Sequence, residues 1–221
     1  DRAKGEYVAV LETDDWVEGD MYRRLYQRAA ADGLDYAAAD FDTVTRLQNG
    51  FDYLARQRVF PDREPGAGPE KPGRDWYGRV LGPGQIAALR ASDYALWRGI
   101  YSREFLDANG VRLHESPGAA FQDMGFLQQV KSRAKRAAYL DESFYRYRQG
   151  RDAASSGSLE GLRYYEGEFR WLEGLRGFAP GLAGDHERYY YFTMSIAFLT
   201  KYEQILSGLG GDWRDERLLG P

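Results

Sequence analysis

Glu12, Asp14 and Asp15 crowd together at the end of a short apolar run, Tyr7-Val8-Ala9-Val10-Leu11, with Trp16 behind them. Such a run reads as a buried strand of a parallel sheet, and open α/β sheets bind ligands beyond the carboxyl ends of their strands. Three carboxylates gathered there repel one another, a cost that a cation offsets. Carboxylate oxygens are hard donors, so Mg2+ or Mn2+ suits them better than a soft metal. The alternative is a polar strand end running into a helix cap. Asp20 is the better cap, because residues 21–31 have helix-forming composition. That leaves the earlier acids without a structural task. A further carboxylate, Asp123, opens a helix, where backbone amides and the helix dipole favour an ionised acid. By itself it reads as an ordinary first-turn residue.

Composition narrows the chemistry. The chain has 221 residues, 43% hydrophobic and 15% aromatic, enough for one globular domain with an appendage. A net charge of -4 argues against broad nucleic-acid binding, which needs a basic field. Absence of Cys removes disulfides, thiolate zinc sites and thiol nucleophiles, and it suits a cytoplasmic protein. With His114 and His186 alone, a Ser-His-Asp triad or a multi-histidine metal site has little support. His114 precedes Glu115 in a strand-like segment and reads as structural. Neither a P-loop nor a dinucleotide-binding glycine pattern occurs. No apolar run approaches the ~20 residues of a spanning helix, although peripheral membrane contact stays open.

The elements that must position these residues follow from pattern. A helix over 20–31 is stopped by Gly33, and 35–47 reads as a long strand carrying Tyr36, Ala38, Phe41 and Val44. Asn49-Gly50 is a hairpin signal, with 51–60 returning. The Pro- and Gly-rich stretch 61–74 is expected to be a mobile loop. Short helices are expected at 84–91 and 102–108, the second stopped at Asn109-Gly110. A brief strand at 111–114 and an amphipathic helix at 121–133 follow, the latter with Phe121, Met124, Leu127 and Val130 on one face. Two short strands, 137–140 and 143–147, flank Asp141-Glu142. Beyond 155 the pattern is helical, with Ser158 and Asp185 as candidate caps. The second of these helices is apolar on most sides, with Tyr191, Met194, Phe198 and Tyr202 on one face and Phe192, Ile196 and Leu199 on another. Such a helix is buried in a core or in a contact between copies, or it docks on a membrane surface.

The first segment resembles the family 2 glycosyltransferases, whose GT-A fold carries a D-x-D motif in this setting. Ala3-Lys4-Gly5-Glu6-Tyr7, then Glu12-Thr13-Asp14-Asp15-Trp16, then Met21 follow the family order of A-x-G-x-Y, D-S-D-D and Met. Thr13 stands for Ser, and Glu12 stands for the first Asp, a longer arm that must fold back to reach the same point. A second stretch is similar to the acceptor half of bacterial members. Trp97, Ile100, Tyr101, Arg103, Phe105 and Leu106 fit W-x-x-(I/L)-Y-x-R-x-F-L, and Pro117, Gly118, Phe121, Gln122 and Asp123 fit P-G-x-x-F-(E/Q)-D. The likeness continues through Ala134-Lys135-Arg136 and 141–148, and covers about residues 3–156.

The resemblance implies an α/β, GT-A-like fold: a partial Rossmann-type mixed sheet flanked by helices over 1–156, with a carboxyl-terminal helical extension over 157–221. It implies transfer of a sugar from a nucleotide-sugar donor to an acceptor hydroxyl, inverting and assisted by Mg2+ or Mn2+, in glycan or glycolipid synthesis. Asp14 would hold the metal, Glu12 would touch the sugar or ribose, and Asp15 would support that site or hydrogen-bond the sugar. Arg148 and Arg151 would grip the diphosphate, with Arg146 a further candidate in the same expected loop. Asp123 would take the acceptor's proton, and Gln122 would position its hydroxyl. Trp97 and Tyr101 line the acceptor pocket or fill the core. The implied partners are a nucleotide sugar and a glycan or lipid-linked acceptor, with no nucleic acid. The carboxyl-terminal helices would serve a homo-oligomer contact, or peripheral docking at the inner face of the membrane. In the family the D-x-D strand follows a nucleotide-binding portion that is not in this sequence. The chain is therefore expected to be the acceptor-side part of such an enzyme and to bind donor poorly by itself. A non-catalytic binding or assembly module derived from one is the alternative.

Overall fold

The acidic turn joins two short strands, β1 (Tyr7–Ala9) and β2 (Trp16–Val17), and neither is the buried parallel strand expected at 7–11. β1 pairs antiparallel with one neighbour, and Leu11 beyond it is 49% exposed. In this computed structural model the described residues are 2–63, 65–66, 68–69, 71–89, 95–116, 121–149 and 159–175, together with 199, 202–203 and 206–207. The expected cap at Ser158, the Arg151 position and, isolated positions apart, the helix beginning at Asp185 and the tail lie outside them.

Helix α1 (Met21–Asp32) forms where its apolar residues recur at helical spacing: Met21, Leu25 and Ala29 are each 0% exposed. Burying side chains such as Met21 and Leu25 contributes about 1.5–3 kcal/mol apiece. Gly33 ends the helix in the left-handed conformation, φ 56°, with its N–H on the Ala29 carbonyl. Asp20 does not cap it with its side chain; that carboxylate accepts a hydrogen bond from Arg23 instead.

The next strand, β3 (Tyr36–Arg46), is the middle of the sheet, and residues 36–44 are all buried. It makes the expected hairpin with β4 (Asp52–Gln57). A one-turn helix, α2 (Pro83–Ala87), precedes β5 (Gly99–Ser102), which runs antiparallel to both β1 and β3. Helix α3 (Arg103–Ala108) is capped by Ser102, whose hydroxyl accepts from the Phe105 N–H. Then come α4 (Gln122–Arg133), β6 (Ala137–Arg148) and α5 (Leu159–Gly174). The strand order is β1-β5-β3-β6-β2, with β4 beside β3, and β3–β6 is the parallel pair. The mixed sheet is thus a fact of the structure. β5, between β1 and β3, was not expected: its four residues sit directly after a 3-10 turn at Leu96–Arg98.

β6 is continuous where two short strands were expected. Asp141 and Glu142 resemble a turn, but Arg56 and Arg74 pair with Asp141 and Arg24 pairs with Glu142 at 2.5 Å. The ladder with β3 absorbs them through irregular register near Asp40. Polar groups inside β3 are also partnered. Asp40, 0% exposed, accepts from the Tyr77 hydroxyl at 2.6 Å, the Val59 N–H at 3.0 Å and Arg56 at 3.0 Å.

The chain forms two compact units. One comprises Asp1–Leu89, Ala95–Val111 and Val130–Arg151, and holds the sheet with α1–α3. The second comprises Arg90–Tyr94, Arg112–Gln129 and Asp152–Pro221, so residues 112–129 cluster with the carboxyl-terminal part rather than with the sheet. Among its described residues the start of α4 packs on α5 through Met124, Tyr165 and Leu172, flanked by Phe121, Phe169 and Trp171. The strand expected at 111–114 is absent: Gln129, fully buried, binds both the N–H and the carbonyl of Arg112 through its side-chain amide, at 3.3 and 2.7 Å. A backbone satisfied this way has no need of a sheet neighbour. No helix of the described residues is long and apolar enough to cross a membrane.

Candidate functional site

The turn between β1 and β2 closes on itself, with the Asp15 N–H on the Glu12 carbonyl at 3.3 Å. It is then fastened to β6. β2 pairs antiparallel with β6, Trp16 opposite Arg146 and Val17 opposite Tyr145. The Tyr145 hydroxyl accepts from the Glu12 N–H at 3.2 Å and donates to Asp15 Oδ2 at 2.9 Å. Asp15 Oδ1 accepts from the Arg148 N–H at 2.9 Å. Both oxygens of Asp15 are therefore engaged by donors from β6, and the acid is a fastener for the turn.

Electrostatics follow from that geometry. Partial burial pushes the Glu12 carboxyl up, and the neighbouring charges of Asp15 and Asp14 push the same way. Asp15 is also raised, mainly by burial, while the Arg148 N–H and the Tyr145 hydroxyl oppose the shift. Burial raises the Tyr145 phenol well above its ordinary range, so it stays a proton donor. Its ring, 0% exposed, stacks on Trp97 with centroids 4.0 Å apart, and Trp97 stacks in turn on Tyr147 at 5.2 Å.

Arg146 and Arg148 lie in β6 itself, not in a loop after it. Arg146 is consumed by Asp42 and Glu18, each at 2.9 Å. Arg148 is exposed, with its guanidinium 5.3 Å from the centroid of the Trp16 ring. Arg151 is outside the described residues. Trp97 and Tyr101 are 3% and 2% exposed, and the Tyr101 hydroxyl donates to the Leu96 carbonyl at 2.7 Å. Of the two readings open for them, filling the core is the one their burial fits.

A divalent cation was expected on Asp14. Among the described residues no group of three or more His, Asp or Glu side chains is arranged to hold a metal ion. Asp15 and Asp14 both raise the Glu12 carboxyl and Asp14 raises that of Asp15, so hard oxygen donors lie near one another in the turn. Mg2+ commonly uses one or two carboxylates and completes its shell with water and substrate phosphates, which is the kind of site Asp14 and Glu12 fit.

Gln122 and Asp123 begin α4 in the second unit. Phe121, just ahead of them, holds φ 65°, a strained value for an aromatic residue, and its carbonyl accepts from the Met124 and Gly125 N–H groups. Asp123 Oδ1 accepts from the Met124 N–H at 2.8 Å. Gln122 donates to the Ser116 hydroxyl at 3.3 Å. His114 is bonded through Nδ1 to Glu168 at 2.7 Å and is stacked flat on Trp171. Sequence reasoning gave no role to Tyr145, Trp16 or Glu168. The run Phe144-Tyr145-Arg146-Tyr147 was a visible signal for the first; Glu168 lies in a helix with no motif.

No family model matches the chain. Two bacterial glycosyltransferases are similar in sequence. The uncharacterized glycosyltransferase YibD of Escherichia coli K12 is 30% identical over 145 residues, 66% of this chain and 38% of that protein. The cholesterol galactosyltransferase of Borreliella burgdorferi is 27% identical over 147 residues, 65% of this chain and 37% of that protein. The chain therefore spans under two fifths of the length of these curated relatives. Among solved structures, S. aureus TarS 1-349 in complex with UDP-GlcNAc aligns over 98% of this chain and 55% of that one, with TM-score 0.56 and 15% identity. TarS 1-349 in complex with UDP gives TM-score 0.54 at 15% identity. At that identity the likeness to TarS is one of fold.

Proposed function

We propose that the chain forms the acceptor-side part of a family 2, GT-A-type glycosyltransferase, moving a sugar with inversion from a nucleotide-sugar donor to an acceptor hydroxyl. The observation that carries this reading is the acidic turn, held on β6 by Tyr145 and Arg148 in a chain similar over 145 residues to a bacterial glycosyltransferase. The UDP-GlcNAc that TarS binds makes a UDP-sugar the first donor class to test.

Each residue then has a task. Asp15 keeps the turn in place, while Asp14 and Glu12 face the donor, Asp14 toward a cation and Glu12 toward the ribose or sugar. A bound Mg2+ or Mn2+ would neutralise charge growing on the diphosphate. Arg148, exposed beside Trp16, contributes a guanidinium to the same diphosphate. On the acceptor side Gln122 orients the hydroxyl and Asp123 takes its proton. The acceptor oxygen bonds to the anomeric carbon as the bond to the leaving phosphate oxygen breaks, and that oxygen keeps the electron pair. Trp97 acts from the core, as the floor beneath Tyr145, and Tyr101 packs in the core against Tyr36, rather than either touching the acceptor.

The test is Asp123→Asn in the full-length polypeptide encoded by the gene, with sugar transfer and UDP-sugar binding measured together. Transfer should fall by ~10²–10⁴-fold, the usual contribution of a general base, with donor affinity unchanged. Loss of binding with normal turnover per bound donor would remove Asp123 from the role. A non-catalytic binding module is the second reading, favoured by Glu12 in place of Asp and by the full engagement of Asp15. It predicts calorimetric binding of a sugar nucleotide or glycan with no turnover in the unmodified protein.

A further inference from the structure

Beyond the acidic turn, the register of the sheet sorts side chains by chemistry. β3 and β4 pair Phe41 with Gln57, Thr43 with Ala55 and Thr45 with Tyr53, while β3 and β6 pair Phe41 with Tyr145 and Thr43 with Tyr147. Residues directly opposite share a face, and so do alternate residues along one strand. One face therefore carries Tyr145, Tyr147, Thr43, Thr45, Tyr53 and Gln57. The contacts agree with this. Phe41 meets Trp97 and Tyr147 edge-on, Gln57 donates to the Thr43 hydroxyl at 3.4 Å, and Thr45 donates to Gln149 Oε1 at 3.4 Å. The opposite face takes the charges: Arg46 pairs with Asp52 and Arg146 with Asp42, each at 2.9 Å.

The acidic turn lies on the first face, because the Tyr145 hydroxyl holds it. From there a strip runs on to the hairpin, and at these positions no side chain is charged. Its polar groups are hydroxyls and amides. Thr43 is buried and donates to the Ala55 carbonyl at 3.2 Å, which sets its hydroxyl for Gln57. At the far end the Tyr53 ring is 58% exposed. Thr45, opposite Tyr53, is four residues beyond Phe41, opposite Tyr145, so the ring stands ~13 Å along the strand from the level of the turn's anchor. An open aromatic face beside neutral amides suits a sugar, whose C–H face stacks on the ring while its hydroxyls meet the amides. An ionic ligand finds no counter-charge on the strip. We propose that the strip from Tyr147 to Tyr53 is a subsite for an acceptor glycan, Tyr53 stacking on a sugar unit remote from the reacting hydroxyl and Gln57 and Gln149 binding that unit's hydroxyls. This rests on the reading of the chain as a glycosyltransferase. The separation is longer than one sugar ring, so the subsite serves chains of several sugars, and a donor sugar held at the turn does not reach it.

The test uses the full-length polypeptide with tetrasaccharides of N-acetylglucosamine, galactose and glucose as probes. Magnetic resonance reads the Tyr53 ring and the Gln57 and Gln149 side-chain amides, and calorimetry with UDP-GlcNAc and Mn2+ runs beside it. At least one tetrasaccharide should shift all three signals, and its monosaccharide should bind more weakly. Tyr53→Ala should weaken that tetrasaccharide roughly tenfold, with UDP-GlcNAc affinity unchanged. Leu54→Ala, exposed on the opposite face, should leave tetrasaccharide binding as it is. No shift from any of the three probes overturns the subsite, whether or not UDP-GlcNAc binds. Tetrasaccharide shifts without UDP-GlcNAc or UDP binding would strike the transferase reading and leave glycan binding alone. Sedimentation with anionic phospholipid vesicles that is lost in both Tyr53→Ala and Leu54→Ala, with no tetrasaccharide shift, would overturn the proposal in favour of a lipid surface.

Discussion

In the acidic turn Asp15 has a donor on each oxygen, the Tyr145 hydroxyl and the Arg148 N–H, both at 2.9 Å, while Glu12 stands exposed beside it. In the second unit Glu168 is buried with one oxygen bonded and the other bare. The first region uses one carboxylate as structure, to hold the turn that carries its neighbours. In the second, burial raises the proton affinity of a carboxylate. Acidity of sequence alone does not separate the two; the source of the hydrogen-bond donors does. β6 supplies them to Asp15 from its backbone and from a fully buried phenol, whereas the partner Glu168 has among the described residues is His114, from the 112–116 segment.

If the second region is built around Glu168, Gly125→Ala should cause the largest loss of stability. The added methyl must displace a buried carboxylate against helix backbone, costing about 3 kcal/mol, the upper end of overpacking. Chemical denaturation should show this loss, and Glu168→Ala in the same chain should recover part of it. Equal losses in single and double variants would mean that Gly125 is needed for another reason.

The first region breaks at Tyr145. Tyr145→Phe keeps the stack on Trp97 but removes the hydroxyl linking Glu12 to Asp15, for a loss of about 1–2 kcal/mol. Donor affinity should weaken with it, because the turn loses its anchor. Unchanged stability would show that the Arg148 N–H holds Asp15 by itself.

A smaller effect separates the regions by pH. The folded pKa of Glu168 is raised, so its contribution to stability is full below the unfolded value of about 4.3 and is lost as pH rises through the folded pKa. Thermal melts across that window should show stability declining in the parent chain and a flatter profile in Glu168→Gln. The same slope in both would place the pH dependence elsewhere.

How much of this was visible beforehand depends on where partners lie in the chain. α1 with its Gly33 stop, the β3–β4 hairpin and the helix at Gln122–Arg133 rest on local signals, and they stand where spacing and turn chemistry placed them. β6 reads as two strands because Asp141 and Glu142 find their arginines far off in the chain, at Arg56 on β4, at Arg74 and at Arg24 on α1. The acidic motif was conspicuous, but nothing local showed that Tyr145 and Arg148 would divert Asp15 to a structural task. Glu168 was illegible because its meaning comes from Gly125 and His114, 43 and 54 residues away (168 − 125 and 168 − 114). The pairing of short strands β1 and β5 was hidden for the same reason.

The proposed function divides the chemistry: the acidic turn would serve the donor, and Asp123 would serve the acceptor oxygen. The most direct measurement is calorimetric affinity for UDP-GlcNAc with Mn2+ in the full-length polypeptide, comparing Asp14→Asn with Asp123→Asn at matched stability. The account predicts donor binding weakened at least tenfold by Asp14→Asn, about 1.4 kcal/mol, and left intact by Asp123→Asn. Equal affinities for both variants and the parent, or the reverse pattern, would contradict it.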